Sequence, residues 1–287
     1  MDVKQEVRDF LVSRRSRITP EKAGLPAWGG HRRVKGLRRE EVALLAGVSV
    51  EYYVRLERGN LGGVSDGVLQ SLANALQLDE AERAHLCDLA RTSAAPLRAS
   101  RPVGRQRVRP QVQWLLDSMG GTAAYVRNAR LDLLASNALG RALYAPVYEM
   151  TGRPNTARFL FLDPRAQEFF AEWSKVAGEA AALLRTLAGE NPYDQGLTEL
   201  VGELSTRSEL FRTLWATHDV RQHRTGIKKF HHPVVGDLTL AYESMELTAD
   251  SGLRLNAYVA EPGTPSAEAL ALLGSWAATP VPVAVKE

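Results

Sequence analysis

The sequence predicts two domains of different class: an all-α N-terminal domain of five helices, then an α+β domain built on an antiparallel sheet. Three observations carry this. A chain of 287 residues exceeds the roughly 100–200 residues over which one hydrophobic core usually extends. Charge is unevenly spread: residues 1–59 hold 13 Lys/Arg against 8 Asp/Glu, residues 91–110 hold 6 against none, and residues 111–287 hold 16 against 20. Hydrophobic periodicity also changes, from a helical repeat in the first third to alternating segments near residues 123–137 and 228–262.

Along the chain, Val3, Val7, Phe10 and Leu11 share one stripe of a first helix. RITPEKAGLPAWGGHRRVKG (17–36), with its prolines and glycines, reads as a long basic loop. Two compact helical patterns follow up to Gly59. SDGVLQSLANALQL and DEAERAHLCDLARTSA then each open on a residue suited to cap a helix, giving five helices before residue 95. APLRASRPVGRQRVRP combines three prolines with five arginines and almost nothing to bury, the composition of a linker. After a short helix, AAYVRNARLDLLASN reads as two strands around a turn at 128–130. Helical patterns run over 137–146 and from 164 to about 216. KKFHHPVVGDLTLAYESMELTA reads as a hairpin broken at Val235-Gly236-Asp237, and LRLNAYVAEP as a further strand. The domains expected are 1–94, a linker over 95–109, 110–275, and a tail over 276–287.

GLRREEVALLAGVSVEYYVRLERGN, residues 36–60, fits two helices better than one. Gly47 in the middle of a single helix would cost about 1 kcal/mol relative to Ala. As a turn residue it can take positive φ, with Ala43 small enough for two helices to cross and Ser49 placed to cap the second. Val42, Ala46, Val48, Tyr53 and Leu56 would then face inward. The second helix would project, as an element that enters the major groove of DNA does.

These residues resemble the phage-repressor-like (XRE) helix-turn-helix family in Ala43, Gly47 and the Leu-Glu-x-Gly run at 56–59, a match covering roughly residues 5–90. The resemblance implies base contacts from Val50, Glu51 and Arg55, with Ser49 and Tyr52 beside them. It implies phosphate contacts from Arg38, Arg39 and Arg58. Arg can pair with guanine, Glu can accept from cytosine N4, and Val can touch a thymine methyl. Bland roles compete: Glu51 can stabilise the helix N-terminus, and Arg55 can pair with Glu51 at i, i+4. The loop insert with His31, Arg32, Arg33 and Lys35 is either a basic arm on DNA or a solvated loop.

Nearly the full chain resembles the MmyB-like regulators, through the stretch above and through LDLLASNALGRALY, FLDPRAQEFF, LWATHDVRQHRTGIKKFHHPVVGDLTLAYE and AEPGTPSAEAL. That resemblance implies a PAS-like C-terminal domain sensing a small molecule, with a fatty acid as one suggested ligand. Candidate anchors are Tyr125, Arg127, Asn137, Trp215, His218 and Tyr242, each with a structural alternative: core packing for Trp215, a helix cap for Asn137, a packed residue for His218. The other role for this domain is protein interaction or dimerisation without ligand.

The expectation is thus a cytoplasmic, nucleoid-associated homodimer on double-stranded, palindromic operator DNA, with no membrane partner. No cofactor and no metal site are expected, since the adjacent His231 and His232 would point to opposite faces of a strand. No catalysis is expected either, because GxSxG is lacking and Cys87 sits in an apolar helix. The opening residues lack a signal peptide's apolar stretch, and no apolar run reaches the roughly 18 residues of a membrane span.

Overall fold

The computed structural model describes residues 2–25, 34, 36–94, 106–221 and 224–278. The insert residues His31, Arg32, Arg33 and Lys35, most of the expected linker, and the tail beyond 278 lie outside the described residues. The chain divides into two compact units. The first comprises Met1–Pro102, Ala181–Thr198 and Thr213–Gln222; the second comprises Val103–Ala180, Glu199–Arg212 and His223–Glu287. The division is not sequential, because two segments from the C-terminal half belong to the first unit.

The first unit begins with the five expected helices: α1 (Val3–Arg17), α2 (Arg39–Ala46), α3 (Val50–Glu57), α4 (Asp66–Ala75) and α5 (Glu80–Ala94). Their starts follow from local chemistry. Ser49 Oγ accepts from the Tyr52 amide at 3.1 Å, and Ser65 Oγ from Val68 at 3.4 Å. Asp79 and Glu82 satisfy each other's amides reciprocally, at 2.8 and 3.0 Å. Gly47 has φ 66°, so the sharp turn between α2 and α3 uses a conformation that side chains disfavour. Val7, Phe10, Leu11, Val42, Tyr53, Leu56, Leu72 and Leu86 are buried in one core, Val48 packs at its border, and Ala43 is 1% exposed where α2 meets its neighbours. Cys87 is a free thiol packed against the same core.

The second unit holds α6 (Pro110–Ser118), β1 (Ala123–Arg127), β2 (Leu133–Ser136), α7 (Ala138–Leu143), α8 (Ala145–Tyr148), α9 (Thr156–Leu162) and α10 (Arg165–Phe169). The division falls within α11 (Trp173–Glu190), α12 (Gln195–Arg207) and α13 (Glu209–Trp215). The second unit then ends with β3 (Thr225–His232), β4 (Gly236–Glu246), β5 (Arg254–Val259) and α14 (Pro265–Ala278). All pairings are antiparallel, in the order β2-β1-β5-β4-β3. The sheet is therefore closed in its middle by the last strand in sequence.

Three details differ from the sequence expectation. The helical stretch expected from residue 164 is four helices, preceded by α9, whose cap is Asn155 accepting from Arg158 at 2.9 Å. The first hairpin strand begins at Thr225, three residues early. Helix α14 occupies a stretch for which the alternation of apolar residues gave no expectation.

The two faces of the sheet are covered differently. Ala124, Val126 and Leu255 pack with Val112 and Leu116 of α6 on one face. Helices α7 and α14 lie on the other. Gly140 is what lets α7 approach β1, because a Cβ there would come within 2.2 Å of the Ala124 carbonyl oxygen.

Candidate functional site

Helix α3 presents one flank to solvent. Val50, Glu51, Arg55 and Arg58 are exposed, as are Ser49, Arg38 and Arg39, while Tyr52 is half-buried and Tyr53, Leu56 and Glu57 are buried. Of the described residues expected to touch DNA, all but the half-buried Tyr52 are thus exposed. Arg55 carries its guanidinium over the Tyr52 ring, 5.8 Å from its centre, rather than in the i, i+4 pair with Glu51 that the sequence left open.

The arrangement depends on a residue that sequence reasoning passed over. Glu57 is 2% exposed, at the end of the same helix. Its carboxylate accepts from Arg15 Nε at 2.8 Å and from Arg39 Nε, and the Tyr53 hydroxyl lies 3.4 Å away. Arg15 also donates to the Leu37 carbonyl at 2.8 Å, tying α1 to the entry of α2. Arg39 is therefore held at its base by a buried carboxylate, with about half its side chain in solvent. Such a pin lowers the entropy an arginine loses on meeting a phosphate. The available signal was the Glu inside Leu-Glu-x-Gly, a charged residue on the buried side of an amphipathic helix.

Two predicted ligand residues fall in this first unit. Trp215 packs under the Arg185 guanidinium, 4.0 Å from ring centre to Cζ. Arg185, 2% exposed, bonds to the carboxylate of Glu6 and to the Trp215 carbonyl. His218, at φ 54°, has Nδ1 3.7 Å from the Glu6 carboxylate. Arg14 completes the cluster, 2% exposed, with Glu82 at 3.0 Å and Asp219 at 3.6 Å. Burial works against the charge on Glu6, but His218 and Arg185 outweigh it and hold its carboxyl down at about 2.

His85 lies beside this cluster, fully buried, edge-on to Phe10 at 5.1 Å, with neither ring nitrogen hydrogen-bonded among the described residues. Burial holds it down at about 4 against an ordinary 6.5. The unfolded chain takes up that proton near pH 6.5 and the folded protein only near 4, so stability falls as pH falls across that window, by ~3 kcal/mol in all. Glu6, depressed in the fold, loses its contribution lower down, as pH falls from about 4.5 towards 2. His85→Leu is expected to remove the slope between pH 6.5 and 4 and leave the loss below it. Urea titrations at a series of pH values read both windows.

The second unit gathers a different set on the sheet face opposite α6. Register places Tyr125 opposite Asn256 and Asn256 opposite Ser244, and the next row runs Tyr258, Tyr242, Gly226. The Tyr144 hydroxyl donates to that of Tyr258 at 2.8 Å, and Tyr125 stands 3.4 Å from the same oxygen. Burial raises all three phenols. Lys228 has its ammonium 5.5 to 6.0 Å from the rings of Tyr242, Phe170 and Tyr258. Burial pulls it down to about 8, with Glu179 opposing and Arg127 reinforcing. Arg127 is 3% exposed and Asn256 1%, and the Asn256 side-chain amide nitrogen has no hydrogen-bond partner among the described residues.

Of the six predicted anchors, Tyr125, Arg127 and Tyr242 thus come together. Asn137 takes its structural alternative: it caps α7 by accepting from Gly140 at 2.7 Å, accepts from Ala124 at 3.1 Å, and donates to Thr122 at 2.7 Å. Lys228 and Asn256 join the face without having been foreseen.

Comparison with known families gives two matches along the chain. A helix-turn-helix domain model matches residues 14–86, which defines a DNA-binding module. The chain belongs to the MmyB-like transcription regulators, whose ligand binding domain model matches residues 108–273, more than half its length. No curated protein matches it. A helix-turn-helix module joined to that domain makes the protein a ligand-responsive transcription regulator, and neither family is one of enzymes. Among the described residues no helix is long and apolar enough to cross a membrane.

Proposed function

We propose that the protein reads a palindromic operator as a two-fold dimer through α3, and that an acidic, largely apolar molecule bound by its PAS-like domain sets operator affinity. The observation that carries the ligand class is the grouping of Arg127, Lys228 and the unpartnered Asn256 amide on one aromatic sheet face. Two cations and an amide donor suit a carboxylate through charge-assisted bonds, and the surrounding rings suit an apolar chain such as that of a fatty acid. The strand order, with helices between the second and third strands, supports the PAS-like description.

On DNA, Arg55 and Glu51 read base edges, Val50 meets an apolar edge, and Arg39 holds phosphate together with Arg38 and Arg58. Fluorescence anisotropy on operator and random duplexes across a salt series separates these roles. Arg39→Ala is expected to weaken both equally and reduce the slope of log K against log salt by about 1. Arg55→Ala is expected to lose ~1–3 kcal/mol on the operator and far less on random DNA. Equal losses on both duplexes would remove Arg55 from base reading.

A further inference from the structure

We infer that the half of the sheet face left bare beside α6 is the surface on which a second copy of this chain docks. This rests on the two-fold dimer proposed above and assigns it a place. Along β3, β4 and β5 the residues on the α6 side form rows set by the register: Ile227 opposite Ala241 opposite Val259, flanked by Lys229 with Thr239 on one side and Thr225 with Glu243 on the other. Ile227 is 63% exposed, Val259 44% and Met245 45%, and Ala241 is exposed between them. A contiguous apolar row on a strand surface marks an interaction site rather than ordinary scatter.

Helix α6 adds to it. Val112 and Leu116 point into the sheet, and Gln113, on one flank of the helix, donates to the Ser136 carbonyl of edge strand β2 at 3.1 Å. Leu115, 48% exposed, lies on the opposite flank, so it borders the bare strands and extends their apolar surface.

The charges identify the occupant. A two-fold axis in the plane of the face, running along the Ile227–Ala241–Val259 row, exchanges the two ends of each strand. It sets the apolar row against itself and brings Lys229 of one copy, which pairs within its own chain with Glu172 at 3.2 Å, within one strand spacing of Glu243 of the other, which accepts from Thr225 at 2.6 Å, twice. A face whose cation and anion flank an apolar centre in this way is complementary to its own copy, as an isologous interface requires.

Sedimentation of the full chain over a concentration series tests this, with circular dichroism to verify folding of each variant. Ile227, Lys229, Glu243 and Val259 are exposed, so the variants are expected to keep the native circular dichroism spectrum. Ile227→Glu, and separately Val259→Glu, are expected to weaken self-association about 100-fold by placing like charges across the axis. Lys229→Glu and Glu243→Lys should each weaken it about tenfold, and the double swap should restore it. A dimer that survives both apolar substitutions, or a double swap no tighter than its single variants, overturns the assignment. So does a wild-type chain that stays monomeric throughout. Binding of the monomeric variants to a single half-site is measured in parallel, so failure of the DNA role is separately visible.

Discussion

Glu57→Ala is expected to destabilise the first unit by ~3–5 kcal/mol, because it leaves a buried charge partner uncompensated. Arg15 is 13% exposed and loses the acceptor at 2.8 Å that fixes α1 against α3. Arg39 loses its anchor in the same step, so the surviving folded protein should also bind every DNA sequence more weakly. Glu57→Gln preserves an acceptor of the same shape and separates the two effects. It should retain more of the stability while still loosening Arg39. Thermal unfolding of the three proteins, with anisotropy on random duplex at fixed salt, measures both.

The second large effect is expected at Arg185. Arg185→Met alone should cost ~3–5 kcal/mol, since Glu6 stays buried with its main cation gone. Glu6→Leu alone should cost a comparable amount, for the converse reason. The two together should recover most of the loss, because two apolar side chains of similar volume replace a fully desolvated pair. Denaturant titration of the four proteins closes the cycle. A coupling near zero would mean that Arg185 is held by the Trp215 ring and carbonyl rather than by Glu6.

The contrast between these two sites explains what the sequence could disclose. The α2-turn-α3 unit was legible because its determinants are local: a glycine forced to positive φ, a serine cap three residues from its acceptor's donor, and apolar residues at helical spacing within 25 positions. Glu57 sat in the recognised motif, yet its role required knowing that Arg15, 42 residues away, comes to it. Glu6 and Arg185 are 179 residues apart, and no periodicity links them. Nothing in the charge pattern indicates that the end of α11 belongs with α1.

The face proposed to bind ligand was half legible for a related reason. Tyr125, Arg127 and Tyr242 stood out by residue type on strands whose existence the alternation revealed. Lys228 did not, because β3 reads Thr-Gly-Ile-Lys-Lys-Phe-His-His: both faces carry polar residues, and the inward one cannot be chosen by pattern alone. Asn256 lies in β5, a central strand in which Leu255, Asn256 and Tyr258 are all buried, so residues of both faces are buried there and its alternation carries little contrast. Asn137 was misleading in the opposite sense. An Asn just before a helix is drawn to capping whatever else surrounds it.

Under the proposed linkage, one molecule bound by the second unit changes how tightly the first holds DNA. The most direct test is operator affinity of the full chain measured with and without saturating palmitate, paired with palmitate affinity measured with and without operator. A shift of about 5- to 150-fold is expected in the first measurement and the same factor in the second, as reciprocity of coupling demands. Lys228→Met and Arg127→Met should each remove most of it. Tight palmitate binding that leaves operator affinity unchanged, or no binding at all, would contradict it.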